Sequence, residues 1–145
     1  MDLSIVMPVF NNSASLAVTL ARMTNACSGF DYEIIVVDNA SDKPELEKMR
    51  SLLVANRRAR LHENKTRSNT AVSCNTGFRL ASADVVFFLE PEDSFSTNYI
   101  IRRLKRHQDT RIDIIFGNYT MVSDRNTRSY MFDYKEGATG ADFLF

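Results

Sequence analysis

The stretch Tyr32-Glu33-Ile34-Ile35-Val36-Val37-Asp38-Asn39-Ala40-Ser41 decides the fold. An apolar run of strand length stops abruptly on a carboxylate followed by turn-forming residues, as a buried strand with a functional carboxyl end does. The same unit recurs in both directions. Leu3 to Met7 reads as a first strand stopped by Pro8, Ala59 to His62 as a weak third strand, Asp84 to Leu89 as the clearest strand, and Ile112 to Phe116 as a fifth. Longer amphipathic stretches separate these runs. Leu16, Leu20, Met23 and Cys27 recur at helical spacing after a cap at Asn12 or Ser13. Pro44 opens a second helix with Glu45 and Glu47 in its first turn and Leu46, Met49, Leu52 and Leu53 on its apolar face.

Asn69 to Leu80 reads as a third helix, where Gly77 implies close packing or an early end. Ser96 or Thr97 caps a fourth, running to about Gln108 with Ile100, Ile101 and Leu104 inward. Alternation of this kind predicts an α/β fold with a mostly parallel central sheet flanked by helices. Tyr119 to Val122 and Ser129 to Tyr134 are expected to pair as a C-terminal β-hairpin.

Composition narrows the class. The chain has 145 residues, 44% hydrophobic and 25% charged, which suits one globular domain and excludes disordered, collagen-like and disulfide-scaffold proteins. Eighteen basic residues balance eighteen acidic ones, so bulk charge gives no support to a nucleic-acid partner. The basic runs at Arg57, Arg58, Arg60, Lys65 and Arg67 and at Arg102, Arg103, Lys105, Arg106 and Arg111 read as solvated faces, with phosphate contact as the alternative. Cys27 and Cys74 lack metal-ligand spacing and are expected to be reduced. The longest apolar runs fall far short of the ~18 residues a transmembrane span needs, and Met1-Asp2 leads straight into the first strand, so the chain reads as cytoplasmic.

Ligands of open α/β sheets bind outside the carboxyl ends of the strands, which places the candidate chemistry at Pro8 to Asn11, Asp38 to Ser41 and Glu90 to Asp93. Glu90, Glu92 and Asp93 repel one another unless a cation or solvent screens them. Two readings stand: a divalent metal site completed by substrate phosphates, or a solvated acidic turn before a helix cap. Asp38 suits either a base or ribose contact or an Asx turn, and Phe10 either stacks on a base or packs. The first strand lacks the G-x-G-x-x-G of dinucleotide-binding domains, and no P-loop is present. A receiver domain is excluded because Asp2 precedes the first strand and Gly117 follows the fifth.

Ser4-Ile5-Val6-Met7-Pro8-Val9-Phe10-Asn11, Glu33 to Ser41, Asn75-Thr76-Gly77 and Phe88-Leu89-Glu90-Pro91-Glu92-Asp93 together resemble, in order and spacing, the signatures of family 2 glycosyltransferases. The resemblance spans about residues 3 to 122 and implies a Rossmann-like, GT-A type nucleotide-sugar-binding fold. It implies that Pro8, Phe10, Asn11, Asp38 and Asn39 lie beside the nucleotide. It also implies that Glu90, Glu92 and Asp93 form the donor diphosphate and metal motif, with Asp93 and Glu92 as ligands to Mn²⁺ or Mg²⁺. The implied reaction is inverting transfer from a nucleotide sugar, a UDP-sugar first, to the hydroxyl of a glycan or lipid-linked acceptor.

Departures from the family pattern are specific. Phe10 replaces a Tyr, Asn39 a second Asp, Glu90 and Glu92 aspartates, Cys74 an Arg, and Asn69 a Gly, the last mild because Asn tolerates positive φ. No late carboxylate among Asp124, Asp133, Glu136 and Asp142 carries a base motif, so the catalytic base is not assigned. The expectation is therefore one GT-A type domain over residues 1–145 that holds the donor side and stops short of the acceptor side. Peripheral contact with the inner membrane face is compatible with this. A non-catalytic nucleotide-sugar-binding or scaffold module is the alternative.

Overall fold

The computed structural model describes residues 1–93, 98, 102, 104, 105, 119–123 and 126–130. They fall in two compact units, residues 1–101 and 102–145. In the first unit the elements run β1 (Leu3–Val9), α1 (Ser13–Ala26), β2 (Tyr32–Asp38), α2 (Lys43–Val54), β3 (Ala59–Glu63), α3 (Thr70–Leu80) and β4 (Val86–Phe88). The strands form one parallel sheet in the order β3-β2-β1-β4. In the second unit, β5 (Tyr119–Ser123) and β6 (Asn126–Tyr130) pair as the expected antiparallel hairpin, with β6 beginning at Asn126 rather than Ser129; residues 131–134 lie outside the described residues. The expected cap at Ser96 or Thr97, the inward Ile100 and Ile101, and the strand at 112–116 lie outside the described residues, whereas residues 98, 102, 104 and 105 are helical.

β1 is buried along its whole length, and β2 at every residue but Glu33. Val6, Ile35 and Val37 cluster with Leu80, Ala81 and Val86, while the alternating Ile5, Met7, Ile34 and Val36 are equally buried on the opposite face. A sheet covered on both faces explains why these strands read as continuous apolar runs rather than alternating ones. Met49 of α2 is fully buried, as are Leu16 and Met23 of α1.

Three strand and helix limits differ from the sequence reading. Pro8 does not stop β1: the strand continues to Val9, with Pro8 in register with Val37. Ser4 N–H donates to Val85 O and Val6 O accepts from Leu89 N–H, so even-numbered peptide groups of β1 face β4. Pro8 turns its missing donor to the same side, beyond the last β4 residue, where no ladder bond is lost. β4 is shorter than expected, three residues rather than six. α3 begins at Thr70, and Asn69 serves as its N-cap at φ −80°, accepting from Val72 N–H at 2.9 Å rather than adopting positive φ.

Gly77 marks close packing, as its place inside a helix suggested. A Cβ there would lie 2.2 Å from Val6 Cγ1 and 3.2 Å from Val37 Cγ2, so only hydrogen lets α3 settle onto β1 and β2. At the amino end of the sheet, Glu33 braces three segments. It accepts from Ser4 Oγ at 2.7 Å, from Ser82 N–H at 2.7 Å and Ser82 Oγ at 2.6 Å, and pairs with Arg60 at 3.0 Å. Burial pushes its carboxyl up, but the Ser82 and Ser4 hydrogen bonds and the Arg60 charge outweigh this and hold it at about 2.

Candidate active site at the carboxyl ends of the strands

After β1 the chain runs outward through β2 to β3, then crosses back to place β4 on the other side of β1. That reversal is a topological switch point, and the carboxyl ends of β1 and β4 border a crevice there. A cleft of about 150 Å³ occupies it, lined from the β1 end by Pro8, Val9, Phe10 and Asn12, from the β4 end by Glu90, Pro91 and Glu92, and otherwise by Asn39 and Thr70.

Internal hydrogen bonds fix each loop. Asn12 caps α1 by accepting from Ser15 N–H at 3.2 Å, while its Nδ2 donates to Glu92 Oε1. Thr19 Oγ donates to the Pro91 carbonyl at 2.7 Å in a buried setting, so α1 holds the acidic turn at two points. Within the turn, Asp93 Oδ2 accepts from Glu90 N–H at 3.1 Å and Asp93 N–H donates to Glu90 O at 3.0 Å. Glu90 carries the electrostatic load. Burial pushes its carboxyl up, and the charges of Asp93 and Glu92 push it further. Burial, followed by the Glu90 charge, likewise raises the Cys74 thiol, and burial takes Cys27 to about 11; both are free thiols.

The structure gathers Pro8, Phe10, Asn39, Glu90 and Glu92 around this cleft. It also assigns several of the expected nucleotide residues to internal contacts. Buried Asp38 closes the turn after β2, its carboxylate accepting from Ser41 N–H, three residues on, at 3.1 and 3.2 Å. Asn11, at φ 48°, exchanges side-chain and backbone bonds with Asp42: Nδ2 donates to Asp42 Oδ2 at 3.0 Å, and Asp42 N–H donates to Asn11 Oδ1 at 2.8 Å. Asn39 spends its amide on Ser68, donating to Ser68 O at 2.7 Å and accepting from Ser68 N–H at 2.9 Å. Phe10 carries the Arg67 guanidinium 3.8 Å above its ring. Arg67, Ser68, Thr70 and Thr19 had no local signal; Arg67 read only as one member of a basic run. Among the described residues, no three His, Cys, Asp or Glu side chains form a group that could hold a metal ion.

Residues 4–138 match the family model for glycosyl transferase family 2. The chain belongs to that family. Among curated relatives of this glycosyltransferase family, it is 30% identical over 122 residues to the poly(ribitol-phosphate) β-N-acetylglucosaminyltransferase TarP of Staphylococcus aureus, covering 80% of this chain and 36% of TarP. An uncharacterized glycosyltransferase of Haemophilus influenzae is 25% identical over 81% of this chain and 46% of its own. The chain thus spans less than half the length of these relatives.

Among solved structures, it superposes on the mannosyltransferase PcManGT of Pyrobaculum calidifontis, in complex with GDP-Man and Mn²⁺, with a TM-score of 0.66 at 18% identity, over 75% of this chain and 33% of that one. On S. aureus TarS in complex with UDP-GlcNAc the TM-score is 0.62 at 18% identity, over 77% of this chain and 32% of that one. The expected GT-A type α/β architecture is therefore the fold present. No helix among the described residues is long and apolar enough to cross a membrane.

Proposed function

We propose that this family 2 chain binds the nucleotide-sugar donor for glycosyl transfer to an acceptor hydroxyl, with a UDP-sugar as the first candidate. One observation carries the reading: residues 8–10, 12, 39, 70 and 90–92 converge on the same cleft at the switch point of the sheet. Convergence of this kind is where open α/β sheets take their ligands. The solved relatives with GDP-Man and UDP-GlcNAc support the donor class.

The acidic turn fits a hard divalent cation in its chemistry. Its donors are all carboxylate oxygens; burial first, and then the charges of Asp93 and Glu92, raise the Glu90 carboxyl, and a cation would relieve the repulsion among the three. Asp93 and Glu92 would hold Mn²⁺ or Mg²⁺, with donor phosphates as further ligands. Such an ion supplies Lewis-acid stabilisation to a diphosphate leaving group. The chain's own residues position that turn: Thr19 and Asn12 pin it to α1, and Phe10 and Pro8 line the same cleft. In the proposed reaction the acceptor oxygen bonds to the anomeric carbon as the bond to the diphosphate breaks, with inversion, and a carboxylate base takes the hydroxyl proton.

Titration of the chain with UDP, GDP and dTDP, with and without Mn²⁺, tests this. Binding that tightens with Mn²⁺ and is lost in Asp93→Ala is the expected result. Absence of binding to all three in both conditions overturns the donor-site reading.

A further inference from the structure

Four basic side chains pair with carboxylates that do not line the cleft. Arg50 pairs with Glu63 and Glu47, Arg58 with Asp31, Arg60 with Glu33 and Lys48 with Glu45. Arg67 differs. Its contact is the ring of Phe10, a wall of the cleft, and among the described residues it has no carboxylate partner. A guanidinium stacked on an aromatic face uses its π surface, which leaves its N–H donors, directed outward in its own plane, free for an anion.

The backbone beneath Arg67 is anchored. Asn39 N–H donates to Val9 O at 2.8 Å, and the Asn39 side chain grips both the N–H and the carbonyl of Ser68, the next residue. Thr70, two residues further on, lines the cleft itself. The loop that carries Arg67 is thus fixed to the end of β1, and the Phe10 stack limits the side chain. An ordered guanidinium loses less freedom on binding than a free one. Glu90 and Glu92 line the same cleft as Phe10, so an entering diphosphate meets negative charge there and needs positive charge to offset it.

We propose that Arg67, held ready by Phe10, is a diphosphate-binding residue of the donor site. This rests on the donor-site reading above. It also assigns the Arg67-covered face of Phe10 to the guanidinium, so the base-stacking role expected of Phe10 is not played on that face.

Calorimetric titration of the full chain with whichever of UDP, GDP or dTDP it binds, and with the matching nucleoside, tests the proposal. Arg67→Ala is expected to weaken the diphosphate about tenfold or more while changing the nucleoside less than about twofold. Arg67→Lys, which keeps the charge but loses the planar fork, falls between. Arg57→Ala, an exposed cation in the turn before β3, controls for net charge and is expected to bind as the wild type does. The proposal is overturned if Arg67→Ala binds the diphosphate within about twofold of wild type, or loses nucleoside and diphosphate equally. Should Arg67→Ala fail to fold, Arg67→Lys decides, and diphosphate affinity equal to that of Arg57→Ala overturns it. A wild-type chain that binds none of the three nucleotides refutes the donor site itself, a separate outcome.

Discussion

Asn39 and Ser68, 29 residues apart, exchange three hydrogen bonds: Asn39 Nδ2 to Ser68 O at 2.7 Å, Ser68 N–H to Asn39 Oδ1 at 2.9 Å, and Ser68 Oγ to the same oxygen at 3.1 Å. The amide is required because it both donates and accepts. In Asn39→Asp the donor becomes an acceptor facing the Ser68 carbonyl. We expect a loss of about 1–3 kcal/mol in urea unfolding, together with weaker nucleotide binding as Arg67 loses its anchored backbone. Unchanged unfolding would refute the clamp.

Gly77→Ala opposes two effects. Alanine gains about 1 kcal/mol of helix propensity, but its Cβ would meet Val6 Cγ1 at 2.2 Å in a core that cannot yield cheaply. Overpacking of that kind costs about 1–3 kcal/mol, so a net destabilisation is expected. Combining it with Val6→Ala should cost less than the two single changes added together, as a double-mutant cycle would measure.

Ala40 sits at φ 60°, in the turn that Asp38 closes by accepting from Ser41 N–H. An L-residue in the left-handed region carries about 1–2 kcal/mol of strain, and glycine carries essentially none but costs about 0.4–1 kcal/mol through the unfolded chain. Ala40→Gly is therefore expected to be neutral or slightly stabilising, and Ala40→Val clearly destabilising. Thermal melts of the two variants would separate them, and a stabilised valine variant would contradict the turn geometry.

Glu33 makes stability fall in acid. Its folded pKa of about 2 lies below the ordinary 4.5, so its contribution is fully present above pH 4.5 and is lost as pH drops from there towards 2. The full contribution is on the order of 3 kcal/mol. Urea unfolding at stepped pH should show this loss in the wild type and a shallower slope in Glu33→Gln. Identical slopes would remove Glu33 as the cause.

Much of the fold was legible because strand burial writes itself into local composition. The runs at 3–7 and 32–37 had to be buried on both faces, and Asn12, Pro44 and Asn69 announced helix starts through their own side chains and ring. Pro8 misled because a proline's effect on a strand depends on whether the neighbouring strand reaches it, which its own surroundings in sequence do not encode.

The site was legible only in outline. Sequence alone determined which strand ends carry polar groups and where the acidic turn lies, because each follows directly from a local apolar run. Tertiary structure decided which of those groups bond to one another and which line the cleft. Parallel pairing in the order β3-β2-β1-β4 sets the loops at residues 10–12, 39–42 and 64–70 beside one another. In that setting Asp38, Asn39 and Asn11 are drawn into bonds within and between the loops, while Arg67 lies across Phe10. Contacts between residues 29 to 57 positions apart depend on strand order and register. Those emerge from packing the whole sheet, and no short stretch of the chain contains them.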